Sequence, residues 1–112
     1  MRMRTLVSAL ALTATTLVPV LALDAPAHAA SGRTWDRLAR CESGGNWHIN
    51  THNGYYGGLQ ISIGTWRGYG GGKLASLPSR ASRAEQIRVA ERIKHHQGWG
   101  AWPTCSHRIG LR

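Results

Sequence analysis

The chain has 112 residues and a formal net charge of +9, from 14 Lys or Arg against five Asp or Glu. That length holds one domain of ordinary size, about 50–250 residues, and excludes several independent cores within these residues. The charge speaks for an anionic partner surface and says nothing about the fold.

Residues 1–29 read as a secretory signal peptide. Arg2 and Arg4 open it, Leu6 to Leu23 is built mostly of Leu, Val, Ala and Thr, and Ala27-His28-Ala29 supplies a small-x-small cleavage site. A retained membrane anchor is the other reading. Against it, the run is about 18 residues, near the minimum for spanning, and Pro19 and three threonines interrupt it. Cleavage after Ala29 leaves residues 30–112 and removes two arginines and Asp24, so the remainder carries +8. A domain of that size buries a modest fraction of its surface and gains from a covalent staple. Cys41 and Cys105 are the two cysteines. In an exported chain an even count points to a disulfide, with free thiols or a two-cysteine metal site as alternatives. Closing such a loop stabilises by about 4 kcal/mol on the chain-entropy account, an upper figure.

The first expected element is a short helix from Thr34 to Cys41, with Thr34 as N-cap, Asp36 in its first turn and Trp35, Leu38 and Ala39 on one face. Ser43-Gly44-Gly45 stops it. Residues 46–61 are rich in Gly and Asn, with Asn53-Gly54 as a tight-turn signal, and predict a small irregular hairpin or loop. Ser62 to Tyr69 predicts a short helix carrying Trp66, and 70–81 a loop. The clearest helix runs from Ser82 to Gln97: Ser82 and Glu85 form a capping box, Ala84, Ile87, Ala90 and Ile93 recur at helical spacing, and Gly98 ends it. Its charged residues are expected on solvated faces.

Few residues offer chemistry. No Gly-x-Ser-x-Gly elbow is present. No metal site is expected: His48 and His52 flank residues that spoil a helix, and the adjacent His95 and His96 diverge by about 100° on one. Beyond Asp24 there are four carboxylates. Glu85 caps a helix, Glu91 sits among cations, and Asp36 serves a helix start. Glu42 differs, since it is placed after the last turn of the first helix, beside a half-cystine and near Trp47. A negative helix end and desolvation both raise a carboxyl pKa, the condition for a general acid near neutral pH. A solvent-facing helix-end glutamate is the alternative that the residues alone leave open.

Glu42 stands in a longer pattern. Cys41-Glu42-Ser43-Gly44-Gly45-Asn46-Trp47 is followed by Ile49-Asn50-Thr51, Asn53-Gly54-Tyr55-Tyr56-Gly57-Gly58-Leu59-Gln60, Thr65-Trp66, Glu85-Gln86-Ile87 and Gln97-Gly98-Trp99-Gly100-Ala101-Trp102-Pro103-x-Cys105. This resembles the catalytic domain of the resuscitation-promoting factors, secreted peptidoglycan-cleaving proteins of actinobacteria, over about 34–106. The resemblance implies a small lysozyme-like α+β fold related to lytic transglycosylases, mostly helical with a short irregular hairpin, stapled by a Cys41–Cys105 disulfide. It implies Glu42 as catalytic acid/base, Thr65 and Gln97 as substrate contacts, and Gln60, Tyr55 and Trp66 along the sugar groove. His48, His52, His95-His96 and Ile61-Ser62-Ile63-Gly64 depart from the family pattern, which bears on groove electrostatics rather than on reaction class.

Glycosidases generally use two carboxylates, yet no second acid is well placed here, since Asp36 falls about 240° round the helix and roughly 9 Å along it from Glu42. One carboxylate suffices if Glu42 protonates the glycosidic oxygen and then acts as base toward water or the muramic acid 6-hydroxyl. Among the tryptophans, Trp35, Trp99 and Trp102 are expected in the core and Trp47 or Trp66 at the groove. The expected partners are peptidoglycan strands and, through a basic face of Arg80, Arg83, Arg88 and Arg92, anionic wall polymers; no cofactor is expected, and a secreted, wall-associated monomer is. A glycan-binding module without catalysis is one rival. A basic nucleic-acid or membrane-active protein is another, disfavoured by export, a disulfide and the lack of a basic helix with an apolar face.

Overall fold

The computed structural model describes residues 29–112. The expected signal peptide, but for Ala29, lies outside the described residues. From Ser31 onward the chain forms one unit, with four α-helices among the described residues: α1 (Gly32–Ser43), α2 (Ile63–Gly68), α3 (Arg83–Gln97) and α4 (Pro103–Arg108). Short 3-10 turns at Gly71–Lys73, Pro78–Arg80 and Gly98–Ala101 join them.

The helix α1 begins earlier and ends later than its apolar pattern suggests. Ser31, not Thr34, is the N-cap, its hydroxyl accepting from the Thr34 N–H. At the other end Gly44, at φ 69°, closes the helix, and the N–H groups of Gly44 and Gly45 donate to the carbonyls of Arg40 and Ala39. That pair of bonds is a Schellman closure. Glu42 therefore sits within the final turn rather than after it.

The 46–61 segment forms no strand among the described residues. Single antiparallel bridges join Tyr56 to Asn50 and to Ile61, and the rest is turn held by side chains. Buried Gln86 is the main tie: its Oε1 accepts from Gly58 N–H, and its Nε2 donates to the carbonyls of Trp47 and Ala81. The Trp47 indole lies flat against Gly58, where any Cβ would collide with the ring.

In α3 the capping box between Ser82 and Glu85 is formed. Its buried stripe is Gln86, Val89, Ala90 and Ile93, shifted from the Ala84–Ile87 register. Ala84 is exposed. The shift follows from burying a glutamine, which an apolar-only pattern passes over.

The core joins α1 to α3 through tryptophans. Trp35 is fully buried, its indole N–H donates to Glu91, and its ring packs against Trp99 at 5.0 Å and Trp102 at 5.3 Å. Trp35 and Trp102 are core residues as expected, whereas Trp99 is half-buried with the Lys94 ammonium over its ring. Trp66 is fully buried, donates to the Ala75 carbonyl and rests on Gly71, which a side chain would displace. The Cys41–Cys105 disulfide ties the end of α1 to α4 across 64 residues of sequence.

Candidate active site

Two adjoining depressions share Tyr55, Gln60, Ala101 and Trp102 and so form one groove. Glu42 and Pro103 line the wider end, of about 260 Å³. Thr65, Gln97, Ser62 and Ile93 line the narrower end. Thus five of the six residues singled out in the sequence, spread over 55 positions, meet along a single surface. The sixth, Trp66, does not. Its ring is spent in the core, as is every carbon of its side chain.

Each groove residue is held by a local device. Glu42 is fixed by the last turn of α1 and by the neighbouring disulfide. Next to it, the Ser43 hydroxyl lies 2.9 Å from the Ala39 carbonyl and 2.8 Å from the Gly58 carbonyl, bonding α1 to the turn segment. Gln60 has a left-handed backbone, φ 53°, and its side-chain amide donates to the Gly57 carbonyl. Non-glycine residues adopt that conformation at a cost and persist in it where the surroundings impose it, commonly at binding sites. Thr65 is pinned in the first turn of α2, where its N–H and its hydroxyl oxygen both bond the Ser62 hydroxyl. Gln97, the last residue of α3, donates to the Tyr69 hydroxyl at 3.0 Å. Tyr55 is the one large exposed apolar side chain among the described residues, at 51% exposure, and offers a free ring face.

Electrostatically the groove has one ionisable acid. Burial raises the Glu42 carboxyl above its ordinary value, with no compensating cation. The remaining described acids are committed elsewhere. Glu85 caps α3, Glu91 bonds Trp35 and lies 3.7 Å from Lys94, and Asp36 forms a two-point ion pair with Arg83. A half-buried carboxyl of raised pKa in a polar groove can, in its acid form, donate a proton to an ether oxygen and then recover one from a hydroxyl.

Neither tryptophan expected at the groove lies there. Trp47 lines a separate recess with Asp36 and Arg83. The groove's indole is Trp102, nearly buried, whose N–H donates to the Leu59 carbonyl and whose body forms the floor. The Trp102-Pro103 dipeptide closing the Gly-Trp-Gly-Ala-Trp-Pro run was the available signal. His48 bonds the Ser79 carbonyl, His52 is exposed, and His95 and His96 meet edge-on at 5.4 Å. Among the described residues no cluster suited to a metal ion forms, and no helix is long and apolar enough to cross a membrane. Of the expected basic face, Arg83 is turned to Asp36 and Arg92 donates to the Tyr69 carbonyl, while Arg80 and Arg88 are exposed.

Comparison with known proteins gives a consistent picture. The transglycosylase-like domain family matches residues 29–105. The resuscitation-promoting factor Rpf1 of Corynebacterium glutamicum is 60% identical over 85 residues, 76% of this chain and 44% of that protein. The factor Rpf of Micrococcus luteus is 54% identical over 88 residues, 79% of this chain and 38% of that protein. RpfA of Mycobacterium tuberculosis is 55% identical over 89 residues, 80% of this chain and 22% of its own length. The chain thus spans less than half the length of these relatives.

Proposed function

The chain belongs to the transglycosylase-like family of the resuscitation-promoting factors, and from that premise we propose that it is an exported enzyme that cleaves peptidoglycan glycan strands. The observation that carries the proposal is the groove: one acid of raised pKa, Glu42, faces a channel of hydroxyl, amide and aromatic side chains. The bond cleaved is the β-1,4 link between N-acetylmuramic acid and N-acetylglucosamine. Tyr55 stacks on a sugar face. Gln60, Gln97 and Thr65 hydrogen-bond hydroxyl and N-acetyl groups, each with its own backbone already locked and little freedom left to lose on binding. The fold in this reading is the lysozyme-like α+β type, its sheet reduced to isolated bridges.

With no second carboxylate lining the groove among the described residues, Glu42 takes both proton-transfer roles. Its protonated form gives the proton to the glycosidic oxygen as the C–O bond breaks and oxocarbenium charge develops on the muramic ring, where the N-acetyl group can share it. The carboxylate so formed then takes a proton from the incoming oxygen nucleophile, either water or the muramic acid 6-hydroxyl. The basic surface adds adhesion to anionic wall polymers, and the protein acts as a wall-associated monomer in wall remodelling, resuscitation or germination.

Mass spectrometry of muropeptides after digestion of purified peptidoglycan tests this. The proposal expects soluble disaccharide-peptides, with a reducing end if water attacks and one water lighter if the 6-hydroxyl attacks. Tight binding to the same walls with no soluble product would instead make the chain a glycan-binding module.

A further inference from the structure

The recess on the far side of α1 from the groove is not used in that reading. It holds about 400 Å³ and shares no lining residue with the groove. That volume falls in the range of small-ligand sites, about 300–1,000 Å³. Arg33, Asp36 and Arg40 lie along one face of α1 at i, i+3 and i+7, and Arg83 and Trp47 close the opposite wall. We propose that this recess is a second ligand site, for a phosphate group carried on a sugar or polyol.

The wall formed by Arg83 is preorganised. Its guanidinium bonds both oxygens of Asp36 at 2.8 and 3.1 Å, reaches the Gly32 carbonyl, and sits 5.6 Å over the Trp47 ring. The indole is itself backed against Gly58. Arg33 and Arg40 are different. Both are exposed, and among the described residues neither guanidinium makes a hydrogen bond or a salt bridge, the charge of Arg40 acting on Asp36 only at a distance. Arg33 moreover stands in the first turn of α1, where the helix presents partial positive charge and a cation is unfavourable. Arg40, in the last turn of α1, suits the helix dipole and adds to the field that lowers the Asp36 carboxyl, but Arg33 has no such role, and both line the same cavity.

Three guanidinium groups against one carboxylate leave the recess at +2. A phosphate monoester carries about −1.5 to −2 near neutral pH, a closer match than a carboxylate. Guanidinium forks suit its oxygens, one from each of Arg33 and Arg40. Asp36 keeps lone pairs beyond its bonds to Arg83 and accepts from a hydroxyl on the carrier, while repelling a second anion at that wall. An oxyanion flanked by hydroxyls answers both features. The inference goes beyond the glycan-cleaving proposal and stands on the recess alone.

The test is titration of the protein by NMR, following the Trp47 indole and arginine side-chain signals, with glycerol 3-phosphate, glucose 6-phosphate, glucuronate, glucose and a poly(glycerol phosphate) chain. The two monomeric phosphates should shift signals lining the recess, glucose should not, and glucuronate should bind more weakly. An Arg33→Gln/Arg40→Gln variant should keep its thermal midpoint and its turnover of neutral oligosaccharide, and lose at least about tenfold in phosphate affinity, two charge-assisted hydrogen bonds being removed. Loss of polymer binding in that same variant, with monomers silent, assigns the site to a phosphodiester chain. Phosphate binding equal in parent and variant overturns the proposal. So does the absence of recess shifts with every probe, and so does polymer binding that falls only when Arg80, Arg88 and Arg92 are replaced.

Discussion

Glu42 owes its raised pKa to position rather than to a partner. Burial alone raises its pKa, so its titration couples to both activity and stability. In the proposed mechanism the acid form protonates the leaving oxygen, and turnover should therefore decline as pH rises through the raised value. For stability the sign is the reverse of a salt-bridged carboxylate. The folded protein holds this proton more tightly than the unfolded chain, so no penalty exists below the ordinary value of 4.5; destabilisation enters as pH rises above 4.5, where the unfolded chain ionises first, and levels off above the raised folded-state value. Glu42→Gln should match the parent's thermal midpoint near pH 4 and exceed it at pH 8. A difference independent of pH would contradict the assigned cause. Gln60 offers a second residue-scale test. Its left-handed backbone costs a side-chain-bearing residue about 1–2 kcal/mol. Gln60→Gly should thus fold at an equal or higher midpoint, with KM for oligosaccharide raised by loss of the amide.

At the scale of elements, the sequence made the helices legible where caps and polar punctuation were local. Ser82 and Glu85 announce α3, and the Gly44-Gly45 pair announces the end of α1. It misled where burial was polar or aromatic. Gln86 breaks the apolar stripe of α3 yet is its most connected buried residue, satisfying one N–H and two carbonyls. No single-residue pattern signals a glutamine that replaces strand pairing as the tie for a turn segment. The roles of Trp66 and Trp47 were likewise set by tertiary neighbours, Gly71 and Gly58, far away or featureless in sequence. Gln86→Leu should leave buried polar groups unpaired at about 1–3 kcal/mol each. We expect a large drop in midpoint in a thermal melt, together with loss of groove turnover; a midpoint within a degree or two of the parent would show that water replaces the amide. Ser82→Ala should cost about 1 kcal/mol, a fall of about 4–8 °C for a domain of this size.

The unit from Ser31 onward is a small core held by three tryptophans, one buried glutamine and a disulfide, with the groove acid on one side of α1 and the exposed Arg33 and Arg40 on the other. Reducing Cys41–Cys105 removes the staple between α1 and α4 and typically costs about 2–5 kcal/mol in a small exported domain. The thermal midpoint should fall markedly; an unchanged midpoint would place the stability elsewhere. The +8 formal charge of residues 30–112 predicts wall association that weakens between 0.1 and 1 M salt, as the screening length shrinks from about 10 to about 3 Å. Turnover of an uncharged chito-oligosaccharide should change little, because stacking and amide contacts are local. The central claim is that one carboxyl performs the proton chemistry, and the most direct measurement is the turnover of purified peptidoglycan by Glu42→Gln, with glycan binding measured on the same sample. The amide keeps the shape of the groove but has no proton to give. Binding should persist while turnover falls by about 10²–10⁴-fold, whereas turnover within threefold of the parent would contradict the assignment.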